Sequence, residues 1–383
     1  MNICKIIVSS VLLFLISACL SFQTSTPPDI LYVGTFKERN SQGIYVYEFQ
    51  KDSLSFKLLQ TLPEQKSPSF VELHPSGKFL YSVTRGNKAD NQPFGAVCAF
   101  KVDESTGKLS FINQQSAYGK SPCHISLDNS GKFAFVSNYS SGSLVVYSVK
   151  DNGSLSDSIQ HISFKGSSVN TNRQNSSHVH SSFISTDNKH LYVSDLGTDK
   201  VMIYRLQQQT GLLSPATTNC LNVIAGSGPR HLAMHPKINT VYIAEELTST
   251  VSVAKRNLNS GELTVQQQLP TIPVNFKGES SVADIHTTPD GKFLYVSNRG
   301  HNSLAIYSIH PETGLLTFLD YTGVSGEHPR NFMITPDGKY LLVANRTTDN
   351  IVVFEIDKNT GLLDNSGLVQ QTPGAVCLKM KKM

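Results

Sequence analysis

Residues 291–299 read GKFLYVSNR, and this stretch decides the fold because the chain repeats it at intervals of roughly 50 residues. Each copy has the alternating apolar residues and the aromatic or β-branched side chains of a β-strand. A period of this length is typical of propellers and solenoids, in which one supersecondary unit recurs along the chain. Seven copies can be counted: ILYVGTF from Ile30, GKFLYSVTR from Gly77, GKFAFVSNY from Gly131, KHLYVSDL from Lys189, NTVYIAEE from Asn239, GKFLYVSNR from Gly291 and GKYLLVANR from Gly338.

The repeating unit is larger than one strand, because each copy is flanked in the same way. A short apolar stretch and a Pro/Gly turn precede it, as in HTTPDG at 286–291. An alternating run follows, as in SLAIYSI at 303–309, and then a turn and a weaker polar strand. Four-stranded sheets repeated around an axis are the blades of a β-propeller. The sequence therefore predicts an all-β protein, a seven-bladed β-propeller with four-stranded blades.

The two ends of the repeat array look complementary, which favours a closed propeller over an open solenoid. A solenoid needs atypical capping repeats at its ends. Here the array begins with a second-strand copy at Ile30 and finishes with TPGAVCLKM at 372–380, which reads like the first-strand stretches SPSFVEL at 67–73 and SPCHISL at 121–127. We therefore expect the N- and C-terminal strands to share one blade and to close the ring.

The N-terminus has the features of an export signal. Lys5 precedes an apolar run from Ile6 to Ala18, and this run is shorter than the roughly 20 residues of a bilayer-spanning helix. The small pair before Cys19 resembles a bacterial lipobox, in which the cysteine is acylated and becomes the mature N-terminus; plain secretion is the alternative. The expected division is a lipoprotein signal peptide at 1–18, a tether at 19–29 and the propeller at 30–383. We expect an exported lipoprotein, anchored to a membrane and facing the periplasm or the cell surface.

Composition excludes several classes of partner. The formal net charge of +4 is scattered along the chain, so nucleic-acid binding has no support. No second segment is apolar enough to span a bilayer, which leaves the lipid anchor as the expected membrane contact. Cys98, Cys123, Cys220 and Cys377 lack CxxC spacing, and we expect free thiols, with a disulfide as the alternative in an oxidising compartment. We expect a monomer.

Candidate functional residues gather at two places in each repeat. In a propeller the first strand of a blade lines the central channel, and the turn after the second strand returns to one mouth of it. Arginine binds carboxylate or phosphate, and histidine titrates near neutrality, so their density at these places predicts a site for an anionic small molecule. The first-strand candidates are His124, His178, His180, Arg230, His231, Asp284, His286 and Arg330, and the turn candidates are Arg85, Asn138, Asp195, Glu246, Arg299 and Asn345.

A metal site is the alternative use of some of these residues. HVH at 178–180 places two imidazoles on one face of a strand, and Asp284 with His286 repeats the arrangement. Nothing in the spacing requires a metal, and the neighbouring arginines would repel a cation. We therefore expect no metal.

Four stretches resemble the propeller-type 6-phosphogluconolactonases and their relatives, the fungal 3-carboxy-cis,cis-muconate lactonising enzymes. They are SGPRHLAMHP (227–236), EELTSTV (245–251), VADIHTTPDGKFLYVSNR (282–299) and HPRNFMITPDGKYLLVANR (328–346). The resemblance runs from about Ile30 to the C-terminus, and its most specific part is GPRH followed by HP. That family is described as seven-bladed and cofactor-independent, with a site of one histidine, two arginines and a glutamate. The resemblance implies His180, Arg230, Glu246 and Arg299 as the catalytic residues, and it leaves His124, His178, His231, Asp284, His286 and Arg330 as candidates for substrate binding.

The function implied by the resemblance is hydrolysis of a lactone, either 6-phosphogluconolactone or another anionic lactone, at the channel mouth. His180 would act as general base on the attacking water or as general acid on the leaving oxygen. Arg230 and Arg299 would hold the substrate anion and stabilise the oxyanion, with Glu246 orienting one of these groups. Two alternatives stay open: a cycloisomerase of the 3-carboxymuconate type, which is an intramolecular lyase, and a non-catalytic propeller that binds a ligand or partner.

Overall fold

The computed structural model describes residues 27–63, 67–85 and 94–382, which form seven four-stranded antiparallel sheets arranged as blades. The predicted signal peptide, Cys19 and residues 20–26 of the predicted tether lie outside the described residues. Across the described ranges, no helix is long and apolar enough to cross a membrane. The prediction of a seven-bladed all-β propeller with four-stranded blades is confirmed.

Each blade is a meander whose innermost strand comes first in the chain, except in blade 1. Blade 1 contains β1 (Asp29–Thr35), β2 (Ile44–Gln50), β3 (Ser55–Leu62) and β28 (Ala375–Lys381). Blade 2 contains β4 (Pro68–Leu73), β5 (Phe79–Thr84), β6 (Ala96–Val102) and β7 (Leu109–Ser116), and blade 3 contains β8 (Pro122–Leu127), β9 (Phe133–Asn138), β10 (Ser143–Val149) and β11 (Leu155–Ser163). Blade 4 contains β12 (Val179–Ile184), β13 (His190–Asp195), β14 (Lys200–Leu206) and β15 (Leu213–Asn222), and blade 5 contains β16 (Pro229–Met234), β17 (Thr240–Glu245), β18 (Thr250–Arg256) and β19 (Leu263–Pro270). Blade 6 contains β20 (Ser281–Thr287), β21 (Phe293–Arg299), β22 (Ser303–Ile309) and β23 (Leu316–Gly323), and blade 7 contains β24 (Pro329–Ile334), β25 (Tyr340–Asn345), β26 (Asn350–Ile356) and β27 (Leu363–Gln371). Short 3₁₀ helices at Lys37–Arg39 and Leu196–Thr198 follow β1 and β13.

The position of a strand within its blade explains its residue pattern. The second strand of blade 6, β21, is buried along its whole length because neighbouring blades cover both of its faces, and its first four residues form a continuous apolar run. The outermost strand, β23, is largely exposed and accordingly polar. The TPDG turn before β21 is fixed by Thr288, whose Oγ1 donates to Asp290 Oδ1 at 2.7 Å and accepts from the backbone N–H of Phe293 at 3.1 Å. Gly291 completes the turn with a φ of 78°, a conformation that favours glycine.

The ring is closed by the C-terminal strand, as the complementary ends predict. β28 pairs antiparallel with β1, with Ile30 opposite Lys381 and Gly34 opposite Cys377. It occupies the innermost position of blade 1 and packs against both β4 and β24. The other innermost strands also contact their neighbours on each side, so the channel wall is continuous around the ring.

A tyrosine hydrogen bond joins five of the blades to the next one. In each case a tyrosine of the second strand donates its hydroxyl to a glycine carbonyl in the turn before the outermost strand of the following blade. The phenol bodies are buried, so the bond satisfies both a hydroxyl and a carbonyl that solvent does not reach. The pairs are Tyr32 with Gly107, Tyr81 with Gly153, Tyr192 with Gly261, Tyr242 with Gly314 and Tyr295 with Gly361.

The four cysteines within the described residues are free thiols, the first of the two alternatives. Cys98, Cys123 and Cys377 are buried between blades, and burial raises the pKa of the Cys98 thiol to about 12. These side chains therefore behave as small apolar groups.

Candidate active site

One mouth of the channel lies where the innermost strands begin and the second strands end. The pairing places Pro229 opposite Glu245 and Pro329 opposite Asn345. Residues at first-strand starts and in the turns after second strands therefore meet at the same end of the ring, as the sequence predicts. We name this end the arginine mouth and define it by His180, Arg230, Glu246, Arg299 and Arg330.

A β-bulge at the second residue of the innermost strand aims side chains into this mouth. In blade 5 the register passes from Pro229 opposite Glu245 to His231 opposite Ala244, which leaves Arg230 unpaired between them. The same shift isolates His180 in blade 4 and Arg330 in blade 7. Bulges commonly re-aim a side chain beside an active site. The repeat thus provides the same bulge position in blades 4, 5 and 7, and it holds a histidine in the first and an arginine in the other two.

Glu246 is the carboxylate around which three guanidinium groups gather. Its Oε2 lies 3.1 Å from Arg230 Nε and 3.1 Å from Arg299 Nη2, and its Oε1 accepts from Arg173 Nη2 at 2.5 Å. The Arg230 contact is an ion pair without hydrogen-bond geometry, since its Nε has no acceptor. Arg230 and Glu246 are both nearly inaccessible to solvent, at 2% and 3% exposure. Backbone carbonyls hold both arginines in place: Arg230 donates to Ala283 O, and Arg299 donates to Val282 O.

The cluster is charged in all its members at neutral pH. Burial alone would raise the pKa of Glu246, yet Arg299, Arg230 and Arg173 outweigh burial and hold that pKa well below its usual range. Burial and the charge of Arg299 lower the pKa of Arg230 to about 10, which still leaves it protonated. One negative and three positive groups therefore leave an excess of positive charge, and this excess favours an anionic ligand or transition state.

His180 stands beside this cluster as a buried and neutral imidazole. Burial, and after it the positive charges of Arg230, Arg330 and Arg299, hold its pKa well below the usual value. Its Nδ1 has no hydrogen-bond partner, and its ring packs against those of His231 and Tyr139, with centroids 5.2 and 5.6 Å away. This nitrogen is shielded from solvent and has no protein partner, and a neutral imidazole nitrogen of this kind can act as general acid or base where it meets a water or a substrate oxygen.

Cys123 occupies the bulge position of blade 3 next to His180, and its thiol is unreactive. Its Sγ donates to the backbone carbonyl of His180 at 3.2 Å. Burial raises the pKa of this thiol to about 11, so the thiolate is scarce at neutral pH. Nucleophilic catalysis by cysteine therefore has no support at this mouth.

Two of the six substrate-binding candidates also lie at the arginine mouth. His178 stacks on Tyr139 with ring centroids 4.5 Å apart. Arg330 lies over the ring of Phe36, with its Cζ 5.1 Å from the ring centroid. The positive charges of Arg230 and Arg299 repel it. These two, with the four catalytic candidates, make up the part of the predicted site that the structure brings together.

The other four candidates lie further along the channel. Asp284 accepts from His231 Nδ1 at 2.7 Å, from His286 Nε2 at 3.0 Å and from Asn331 Nδ2. Together with His124 these residues line a cavity of about 270 Å³ that is also lined by Ile334 and Lys379, from the far ends of β24 and β28. This cavity therefore opens towards the opposite mouth. His231 lies between the two levels, because its ring also contacts that of His180.

Of the remaining turn candidates, Arg85 lies over the ring of Phe36, and the other three have structural partners. Asn138 donates to Ala117 O, Asn345 donates to Val324 O, and Asp195 accepts from Ser177 Oγ and from the backbone of His178. These contacts hold the loops around the mouth. Within residues 27–63, 67–85 and 94–382, no three His, Cys, Asp or Glu side chains are grouped so that they could hold a metal ion.

Sequence reasoning did not single out Arg173, Phe36, His328 or Arg346 as site residues. Arg346 carried a usable signal, since VANR at 343–346 repeats the SNR of Arg299. Phe36 likewise follows the second-strand copy of blade 1. Arg173 had no such signal, because it lies in the segment between β11 and β12, outside the repeat.

The fold and this site together describe a seven-bladed β-propeller with arginines, a histidine and a glutamate gathered at one channel mouth. Residues 30–380 match the family described as lactonase, 7-bladed β-propeller, and the chain belongs to this family. It is 34% identical over 302 residues to the 6-phosphogluconolactonase of Bacillus subtilis strain 168, covering 79% of this chain and 84% of the relative. It is 38% identical over 310 residues to the 6-phosphogluconolactonase of Formosa agariphila, covering 79% and 86%. The structure of the periplasmic gluconolactonase PpgL of Pseudomonas aeruginosa is similar, with a TM-score of 0.85, 30% identity, and coverage of 92% of this chain and 99% of that one.

Proposed function

We propose that this protein is a carboxylic-ester hydrolase that opens a small anionic lactone at the arginine mouth. The observation that carries the proposal is the placement of the unpartnered, neutral His180 beside Arg230 and Arg299, which Glu246 holds together. Membership of the lactonase family and the names of the two 6-phosphogluconolactonase relatives support the same activity.

Hydrolysis proceeds through a tetrahedral oxyanion. His180 accepts a proton from water as the water oxygen bonds to the lactone carbonyl carbon, and the carbonyl oxygen takes up the negative charge. Arg230 and Arg299 stabilise that oxygen, and Glu246 keeps both guanidiniums at this position. The carbonyl then reforms, the bond to the ring oxygen breaks, and protonated His180 returns its proton to that oxygen. One water is consumed and a hydroxy acid is released.

The low pKa of His180 links the chemistry to substrate binding. The arginines lower this pKa, so a bound substrate anion that offsets their charge raises it towards its ordinary value. His180 is therefore a stronger base in the complex than in the free protein, and it is uncharged in the free protein.

His180→Ala is the direct test, measured as hydrolysis of 6-phosphogluconolactone and gluconolactone after subtraction of the spontaneous rate. We expect kcat to fall by a factor of 10²–10⁴, the usual contribution of a general acid–base group. His310→Gln changes an exposed histidine far from the arginine mouth and should keep the full rate. Unchanged turnover in His180→Ala removes the assigned role, and no turnover of any lactone by the unaltered protein removes the function.

Export and lipid anchoring complete the proposal. They rest on the apolar run that ends at Cys19 and on the periplasmic location named for the relative from Pseudomonas aeruginosa. The full-length protein should fractionate with membranes and be released by detergent, whereas Cys19→Ser should lose the acyl chain. Identical fractionation of the two proteins would contradict the anchor.

A further inference from the structure

Three arginines at the arginine mouth surround one aromatic ring. The Cζ atoms of Arg85, Arg330 and Arg346 lie 4.6, 5.1 and 4.8 Å from the centre of the Phe36 ring. Phe36 is only 2% exposed, while the three arginines remain half-buried. The three arginines come from blades 2 and 7, which flank blade 1 and its Phe36. His180, Glu246 and Arg299 belong to blades 4, 5 and 6, on the other side of the mouth.

The three guanidiniums lack a paired carboxylate within residues 27–63, 67–85 and 94–382. Among the described residues, none of them forms an ion pair, in contrast to Arg39 nearby, whose Nη2 lies 2.6 Å from Asp349 Oδ2. The exposed Glu38 attracts Arg346 at longer range. Burial and the charges of Arg230, Arg299 and Arg85 lower the pKa of Arg330 well below its usual range, because like charges repel its protonated form.

Two buried nitrogens in the same place also lack partners. Arg85 Nε and His328 Nε2 are shielded from solvent, and neither meets an acceptor in the described part of the chain. Burial, followed by the charges of Arg299, Arg330 and Arg346, lowers the pKa of His328 to about 3, so its ring is neutral. Buried polar groups are normally satisfied, and two unsatisfied nitrogens beside a cluster of cations point to a missing ligand.

The stacking on Phe36 does not by itself explain the arrangement. A cation over an aromatic face contributes about 0.5–1 kcal/mol at exposed sites, and three like charges around one ring repel each other. Stacking does, however, leave the N–H edges of each guanidinium free to bind oxygen atoms. A group with two negative charges and several acceptor oxygens would satisfy these edges and relieve the repulsion.

We propose that Phe36, Arg85, Arg330, Arg346 and His328 form the binding site for the phosphate group of a phosphorylated lactone. This inference rests on the proposed function, because it assigns the other end of the same substrate. Arg330 joins the two halves of the mouth: it stacks on Phe36, and its charge acts on His180 and on the Arg230–Arg299 pair. The lactone ring then lies against blades 4, 5 and 6, and the phosphate lies against blades 7, 1 and 2.

Kinetics with two substrates test the assignment. For Arg346→Gln and Arg85→Gln, we expect the ratio of kcat/KM for 6-phosphogluconolactone to kcat/KM for gluconolactone to fall about 10- to 100-fold, the range for losing a hydrogen bond to a charged group. Arg39→Gln is the matched control, because it removes the same charge at the same mouth without touching Phe36. Its ratio should stay within about threefold of the unaltered protein. An unchanged ratio in Arg346→Gln and Arg85→Gln, or an equal fall in all three variants, overturns the phosphate site.

Binding of inorganic phosphate separates this inference from the proposed function. In calorimetric titrations of the purified protein, we expect Arg346→Gln and Arg85→Gln to raise the Kd for phosphate at least tenfold and Arg39→Gln to leave it within about threefold. If the protein hydrolyses no lactone but shows this pattern, the proposed function fails and the phosphate site stands. If Kd does not change in the two variants, or the unaltered protein binds no phosphate, the site is refuted whatever the activity. Melting temperatures measured in parallel exclude unfolding as the cause.

Discussion

At the scale of single residues, Glu246 and its neighbour Glu245 have opposite environments although both are buried. Glu246 faces three guanidiniums, whereas Glu245 accepts hydrogen bonds from the neutral Thr250, Ser252 and Gln268. Burial raises the pKa of Glu245, while the arginines lower that of Glu246. One carboxylate organises the mouth, and the other ties β17 to β18 and β19.

Glu246→Gln should therefore abolish most of the activity, while Glu245→Gln should retain it. Loss of the negative charge leaves Arg230 and Arg299 repelling each other without an anchor, so we expect lactone hydrolysis to fall at least 10²-fold and the unfolding free energy to fall by about 3 kcal/mol, as for breaking a buried ion pair. The matched Glu245→Gln keeps shape and most hydrogen bonds. Similar losses of activity in the two variants would show that Glu246 acts only through stability.

The sequence predicts part of this site because the repeat shows which residues lie at the channel mouth, although it does not show which of them contact each other. Glu246 and Arg299 stand at equivalent places in their repeats, Arg230 stands at the start of a first strand, and the mouth brings all three together. The sequence cannot show that His180 and Asp284 lie at different levels of the channel, since that depends on bulges that shift the strand register locally. Arg173 reaches Glu246 from a segment without any periodicity, so no local pattern foretells the contact.

At the scale of the elements, the tyrosine hydrogen bond between blades is a repeated contribution to stability. The donor is visible in the sequence as the tyrosine of GKFLYVSN. The acceptor lies 66 or more residues further along the chain, so the sequence does not show it, because the pairing depends on how adjacent blades pack. Blade 3 has Phe135 at this position and blade 7 has Leu342, so the bond is not required in every blade. The bond therefore adds stability without determining the fold.

Tyr242→Phe should lower the unfolding free energy by about 1–2 kcal/mol. The change removes the donor to Gly314 O at 3.0 Å and leaves that carbonyl without its partner, while the ring still fills its space. Urea denaturation followed by tyrosine fluorescence or circular dichroism gives the value. Tyr321→Phe, at a half-buried ring on β23, is the control and should cost less than about 0.5 kcal/mol. Equal costs at the two positions would argue against the inter-blade bond.

At the scale of the whole molecule, one strand closes the ring. β28 is the innermost strand of blade 1 and contacts β4 and β24 as well as β1. Sequence complementarity of the two termini is enough to predict this closure, because the missing strand of blade 1 and the surplus strand at the end have the same pattern.

Ending the chain before Thr372 should therefore destroy cooperative folding. The truncation leaves blade 1 without its channel strand and exposes apolar faces of β1, β4 and β24. We expect a broad, non-cooperative thermal transition and loss of lactone hydrolysis. Removing only Lys382 and Met383, which follow β28, should change neither. A truncated protein that still melts in one sharp transition would show that the six complete blades are stable without closure.

The channel as a whole makes stability depend on pH through its buried histidines. Burial and neighbouring positive charge lower the pKa of His231 to about 4 and hold those of His124 and His180 well below 6.5. The unfolded chain binds these protons at about pH 6.5, so the stabilisation is complete above that pH and is lost as the pH falls towards the folded-state values. Each group contributes at most about 1.4 kcal/mol per pH unit in this window. Urea unfolding at pH 7.0, 6.0 and 5.0 should show that the unfolding free energy falls by at least about 2 kcal/mol between pH 7.0 and pH 5.0.

Asp284 and Glu246 do not add to this fall, because their pKa values are lowered and they stay ionised in this range. His310→Gln, at an exposed position, should leave the slope unchanged, and equal stability at pH 7.0 and 5.0 would mean that the channel histidines accept protons without cost.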